Sequence, residues 1–335
     1  MIIKLWGVRG SLASPIGQAE YKQKLFGILR KAAELGLSIN TPEEFENLFK
    51  KLPPELQYVC GGNTTCASIN ANDSASPIIL DGGTGIRLIG DELMQGPCGK
   101  GKGEVRIFLT HTHWDHIQGL PFFKPLYIPG NIIHFYSPLE DLKERLMAQQ
   151  DDRFFPVTFD SMASTKLFHL LRKDHSLDLE KEGVTVDFHP LIHPGGSYAY
   201  RFKKNGQTFI FATDSEFTGD DLIGSSNDKF FNFQDFFKNA DLLIIDAQYD
   251  LNASFGKFDW GHTSNTMAVN CGVNWKVKNL VLTHHEPVNT DTLLYQNYAD
   301  AIEHRNNMKS TFPRIFLARE GMTFQLGSKL QIKDS

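Results

Sequence analysis

From residue 110 to residue 116 the chain reads Thr-His-Thr-His-Trp-Asp-His, directly after an apolar run from Val105 to Leu109. Three imidazoles and a carboxylate in so short a stretch form a dense group of metal-ligand types. In an extended segment His111 and His113, two apart, point the same way. The chain must then turn for Asp115 and His116 to converge on a neighbouring point. Any fold that uses this cluster has to end a strand here and bring other ligands to the same edge. Candidates follow: His193 after Val184 to Phe188, Asp214 after Phe209 to Ala212, and His284 after Leu280 to Leu282. A rigid sheet holds residues at its strand ends in fixed relation.

The remaining sequence supplies such a sheet. Short β-rich runs bounded by turn residues predict strands at Ile2 to Trp6, Ala67 to Asn70, Ile78 to Leu80, Val105 to Leu109, Ile132 to Tyr136 and Val184 to Phe188. Further strands are predicted at Tyr198 to Phe202, Thr208 to Ala212, Leu242 to Ile245, Leu280 to Leu282, Ile315 to Leu317 and Met322 to Leu326. Leu25, Ile28, Leu29, Ala32 and Leu35 fall on one face of a helix from about Gln18 to Leu35. Thr41-Pro42-Glu43-Glu44 has the N-cap Thr, N1 Pro and N3 Glu that open a second helix. Ser137-Pro138-Leu139-Glu140 reads the same way before a helix from Asp141 to Gln149, and Thr263 to Cys271 and Thr292 to Met308 complete the helices. There is no GxGxxG, and the strands are not spaced like a strict βαβ dinucleotide fold.

Composition excludes several classes. Lys and Arg number 34 against 39 Asp and Glu, a net charge of −5, so the surface is not the basic footprint of a protein that grips long nucleic acid. Four cysteines in 335 residues, none in CxxC, are too sparse for a disulfide scaffold. No secretory leader and no run of 18 apolar residues is present, and the expectation is a reduced, cytoplasmic protein without membrane contact.

The motif HxHxDH followed in order by His, Asp and His resembles the metallo-β-lactamase-fold superfamily of metal-dependent hydrolases, over nearly the whole chain. That resemblance implies an α/β fold, a four-layer αββα sandwich with the site at one edge between the sheets. The chain is expected to be one domain, 1–335, with a helical insertion after the first strand at about 18–56. By resemblance, one divalent metal, Zn with Mn or Fe as alternatives, is held by His111, His113 and His193. A second is held by Asp115, His116 and His284, and Asp214 bridges them. Asp81, in Ile-Leu-Asp-Gly-Gly-Thr-Gly, matches a group that orders the ligand loop. True β-lactamases lack the bridging Asp, and flavodiiron proteins have HxExDH where this chain has His113.

Two other segments are similar to the branch holding the tRNA 3′-processing endonuclease and small-molecule cyclic phosphodiesterases. One is the strand that ends in Asp246; the other is Gly261-His262-Thr263-Ser264, which opens a helix sixteen residues on. Here Asp246 stands where the endonuclease has Glu, and Gln248 and Tyr249 replace its usual Thr and Phe. The resemblance makes Asp115, Asp246 and His262 the catalytic set. Imidazole can give a proton to a leaving oxygen near neutral pH when a carboxylate orients it.

These features point to a dinuclear hydrolase of small or cyclic nucleotide-like phosphodiesters, with attack by a metal-bound hydroxide. The second reading is an RNA endonuclease of the tRNA-processing kind, which would use a basic Gly/Pro-rich arm; none appears between His116 and Asp214. A thiolester hydrolase and a non-catalytic metal-binding module complete the alternatives. The expected partner is a small phosphodiester, with RNA second and a homodimer left open. The insertion is expected to cap the site entrance, against a peripheral helical pair covering an edge strand. Trp114, Phe122 and Phe123 are expected to pack in the core rather than stack on a base.

Overall fold

The computed structural model describes residues 1–37, 40–72, 76–173, 175–223 and 233–334, and its strands divide between two sheets in chain order. Six go to the first sheet: β1 (Ile2–Gly7), β2 (Cys66–Asn70), β3 (Ile78–Leu80), β4 (Glu104–Phe108), β5 (Ile132–Ser137) and β6 (Thr165–Leu170). The next seven make the second: β7 (Leu177–Leu179), β8 (Val184–Leu191), β9 (Ser197–Lys204), β10 (Gln207–Ala212), β11 (Leu242–Asp246), β12 (Asn279–Thr283) and β13 (Arg314–Leu317). The chain then returns: β14 (Thr323–Gln325) pairs antiparallel with β1, and β15 (Gln331–Lys333) pairs with β14.

The central strands of both sheets are buried on both faces. In β11 the side chains alternate, with Leu242 and Ile244 in the cluster between the sheets and Leu243 and Ile245 in the cluster beneath helices. Each such buried aliphatic side chain contributes about 1.5–3 kcal/mol. Phe108, Tyr200, Phe202 and Phe209 fill the space between the sheets. The first sheet is covered by α4 (Ile86–Leu93), α5 (Trp114–Ile117) and α6 (Leu142–Gln149). Over the second lie α8 (Phe233–Phe237), α10 (Asn265–Asn274) and α11 (Asp291–Asn307); α7 (Gly219–Ile223) and α9 (Leu251–Ser254) are short. The layers are helix, sheet, sheet, helix, as the αββα reading expects.

The stretch between β1 and β2 is helical, with α1 (Gln18–Glu34), α2 (Pro42–Phe49) and α3 (Pro54–Gln57); Ser38 and Ile39 lie outside the described residues. Thr41 closes the expected capping box with Glu44. The apolar stripe of α1 is not buried as read. Leu25 and Leu29 are 41% and 53% exposed, while Ile28 and Ala32 pack against Leu48, Leu52 and Leu56. The cause is Lys24, whose ammonium is buried on the carbonyls of Glu55 and Tyr58 and lies 2.8 Å from the Asp291 carboxylate. Anchoring Lys24 turns positions 24, 28 and 32 inward and leaves 25 and 29 to solvent.

Other readings are corrected too. Ser137 is the last residue of β5 and no helix cap; its hydroxyl donates to the Leu109 carbonyl, and α6 begins at Leu142. β6, β7, β15 and α4 were not read. Three of these are short or half-exposed edge strands, and α4 starts at Gly85 without a capping side chain.

Candidate metal centre

β3 and β4 run parallel, as do β10, β11 and β12, so Asp81, His111, Asp214, Asp246 and His284 leave the sheets at the same edge. Tight turns aim them. Ser11, Asp81, Asp214 and His284 have φ of 57°, 58°, 60° and 62°. Left-handed backbone costs a non-glycine residue about 1–3 kcal/mol, and such residues concentrate where a site needs a particular direction.

Asp81, fully buried, accepts from the backbone N–H and hydroxyl of Thr110 and lies 2.8 Å from His116 Nδ1. That bond fixes the loop and leaves His116 Nε2 for the centre, 3.3 Å from Asp115 Oδ2 and 3.0 Å from Asp214 Oδ2. His284 Nε2 lies 3.1 Å from Asp115 Oδ2 and 3.2 Å from Asp214 Oδ1. His193 Nδ1 faces the Gly261 carbonyl at 2.8 Å, so its Nε2 is the free nitrogen, 3.0 Å from His113 Nδ1. Both His111 Nε2 and His193 Nε2 stand 3.8 Å from Asp214 Oδ1.

Every candidate ligand is therefore gathered, in three sets whose ligand atoms lie within 4.8 Å of one another, the second and third sharing Asp214 and His284. These are His111, His113 and His193; Asp115, His116, Asp214 and His284; and Asp214, Asp246, His262 and His284. The third set brings in both remaining catalytic candidates. His262 Nδ1 is 2.7 Å from Asp246 Oδ2, and the other Asp246 oxygen accepts the Gln248 N–H.

The electrostatics ask for cations. Burial holds the imidazoles of His111, His113 and His193 below their ordinary range, in the neutral form that can ligate. At His116 and His284 burial acts in the same direction, but the carboxylates around them win. Asp214, Asp115 and Asp81 raise His116 well above its ordinary range, and Asp214 with Asp115 takes His284 to about 9. Burial would lift the Asp115 and Asp214 carboxyls, and the charges of His116 and its neighbours hold both low instead. His111 Nε2 is also buried without a hydrogen-bond partner, its nearest carboxylate oxygen 3.8 Å away on Asp214. Buried lone pairs with nothing to accept are costly unless an ion uses them. The His/Asp donor set fits divalent metal ions such as Zn.

The centre opens into a cleft of about 440 Å³ lined by Ser11, Thr112, His113, Trp114, Asp115, Asp214 and His262. Among the described residues, none of 18–56 lines it. Trp114 is 79% and Phe122 56% exposed, so only Phe123 packs in the core as expected. Sequence reasoning missed Gln248, Glu286, Gly10 and Gly261. A Cβ on Gly10 would lie 2.3 Å from His284 Nδ1, and one on Gly261 would lie 2.3 Å from His193 Nδ1. The glycines next to Trp-Gly-Val-Arg and to His262 were the available signal.

Residues 78–285 match the family model described as the beta-lactamase superfamily domain. Ribonuclease Z of Prochlorococcus marinus (strain MIT 9515) is 23% identical over 309 residues, covering 79% of this chain and 94% of that protein. Two solved structures share the fold over nearly their full length. The human tRNase Z short form has a TM-score of 0.57 at 17% identity, covering 98% of this chain and 100% of that one. Unliganded yeast PDE1 has 0.58 at 12%, covering 97% and 99%. No helix among the described residues is long and apolar enough to cross a membrane.

Proposed function

The chain belongs to the beta-lactamase superfamily, as a hydrolase of metallo-β-lactamase fold, and from that premise we propose that it cleaves small or cyclic nucleotide-like phosphodiesters at a dinuclear metal centre. The observation that carries this reading is the Asp246–His262 pair, 2.7 Å apart and sharing a ligand set with Asp214 and His284. In this reading His111, His113 and His193 hold one divalent ion, Asp115, His116 and His284 hold the other, and Asp214 serves both. The unit is a single domain, 1–335, with the helices of 18–56 as its insertion.

Bound divalent ions would supply Lewis acidity and a nucleophile from water near neutral pH. The chain's own residues do the rest. Asp246 accepts from His262 Nδ1–H, which fixes the ring and leaves Nε2 to deliver a proton to the leaving oxygen. Asp81 and the Gly261 carbonyl orient His116 and His193, so each presents one defined nitrogen. The cleft volume lies within the range of small-molecule sites, which favours a compact phosphodiester. A thiolester substrate needs no proton for its thiolate and gives the Asp246–His262 pair no work.

An RNA substrate is the second reading, favoured by the run of curated relatives named Ribonuclease Z. Against it, the described residues between His116 and Asp214 carry α6, β5 to β10 and short turns, with no basic Gly/Pro-rich arm among them. Metal-loaded protein assayed on a cyclic nucleotide, a precursor tRNA and a glutathione thioester decides the matter. The expected result is the highest kcat/KM on the cyclic nucleotide. Higher kcat/KM on precursor tRNA would replace this reading with the second.

A further inference from the structure

Gln248 is buried and makes three contacts that together fix its orientation. Its Nε2 lies 2.7 Å from Glu286 Oε2 and 3.3 Å from Ser11 Oγ, and its Oε1 lies 3.1 Å from His284 Nδ1. A carboxamide turned end for end keeps its shape, so packing alone does not choose between oxygen and nitrogen. Glu286 chooses. A carboxylate has no proton to give, so the amide must offer it NH2, which leaves the oxygen to His284. That oxygen only accepts, so Nδ1 of His284 carries a hydrogen toward it and Nε2 is the nitrogen turned toward Asp115 and Asp214. Lys257, with Nζ 3.4 Å from Glu286 Oε1, braces the carboxylate from its far side. The second amide hydrogen goes to Ser11, whose backbone N–H donates to Asp115 Oδ2 at 2.7 Å.

We infer that Glu286, acting through Gln248, sets which ring nitrogen His284 presents to the centre, and so positions a ligand that it does not itself touch. This rests on the reading of His284 as a metal ligand. Histidine ligands depend on such outer partners for tautomer and orientation, and losing one costs about 10–100-fold in metal affinity.

Glu286→Gln tests it, because two facing amides satisfy one another in either orientation. The variant should bind one of its equivalents of Zn about 10–100-fold less tightly by chelator competition. In protein labelled with ¹⁵N-histidine, the solvent-protected Nδ1–H resonance of His284 should be lost or doubled. Combining it with Gln248→Glu should restore both readouts, since a carboxylate at 248 accepts from His284 and from the new amide at 286 alike. Unchanged affinity and resonance in Glu286→Gln overturn the inference. So does a double variant no better than the single one, which would show that bulk or charge at 286 is what counts. If the wild-type protein takes up no second metal, the dinuclear reading fails. The Nδ1–H resonance of the metal-free protein still decides whether Glu286 orients the ring.

Discussion

His113 stands toward the rim of the cleft with the buried rings of His111 and His193 behind it, and this set meets only the edge of Asp214, whereas Asp115, His116, Asp214 and His284 are all buried and press two carboxylates against two imidazoles. The rim set is neutral and loses nothing but water when a cation enters. The buried set balances two carboxylates against two imidazoles that those carboxylates hold protonated. One loop thus supplies residues to two candidate ligand sets with different electrostatics. Binding at the rim depends on three neutral donors lying close together; binding in the buried set is an exchange of protons for metal.

The largest effect is expected where the two sets meet. Asp214→Ala removes the carboxylate nearest both, and elemental analysis should find at least one equivalent of metal lost and turnover abolished. Two equivalents retained would break the idea that the sets share a residue. His262→Ala belongs to neither set as proposed, so it should keep both metals while kcat falls by about 10²–10⁴-fold on a poor leaving group. The loss should shrink for p-nitrophenolate esters. Metal loss in that variant would make His262 a ligand and dissolve the boundary between chemistry and coordination.

Two alanines sharpen the comparison further. Gly10→Ala drives a methyl into His284, and Gly261→Ala drives one into His193 while straining a backbone at φ +82°. Each should weaken one metal equivalent by about 10–100-fold and spare the other, read by competition with a chromogenic chelator. If both variants weaken the same equivalent, the division is wrong. The most gradual effect is in pH. Protons compete with metal at a ligand whose pKa lies above the working pH, so affinity at the buried set should rise with pH up to about 9, the value for His284. The slope is up to about tenfold per unit for each proton displaced. The rim imidazoles, held low by burial, should show a flat profile over the same range. Parallel profiles for the two equivalents would contradict the electrostatic contrast.

The grouping of the candidate ligands was legible because they sit at strand ends, and strand ends are marked by apolar runs that stop. His111 to His116, His193, Asp214 and His284 all announce themselves in this way. Gln248 and Glu286 do not. Neither lies in a recognisable ligand pattern, and their value comes from a contact 38 residues apart in sequence. The left-handed turns at Ser11, Asp81, Asp214 and His284 were equally hidden, since none is a glycine. In the insertion the helices were correctly placed and the buried face of α1 was not. Apolar periodicity assumes that lysines point outward, and Lys24 instead follows the pull of Asp291.

The return of the chain to its starting sheet bears on how the protein is made. β1 must wait for β14, which is synthesised some three hundred residues later, before its outer edge is covered. Four donors of the centre, His111, His113, Asp115 and His116, leave the ribosome long before His193, Asp214 and His284. On the proposed reading, a nascent chain would carry the first half of the ligand set without the second. Loading would then belong after translation, once both sheets have closed and the late residues have arrived.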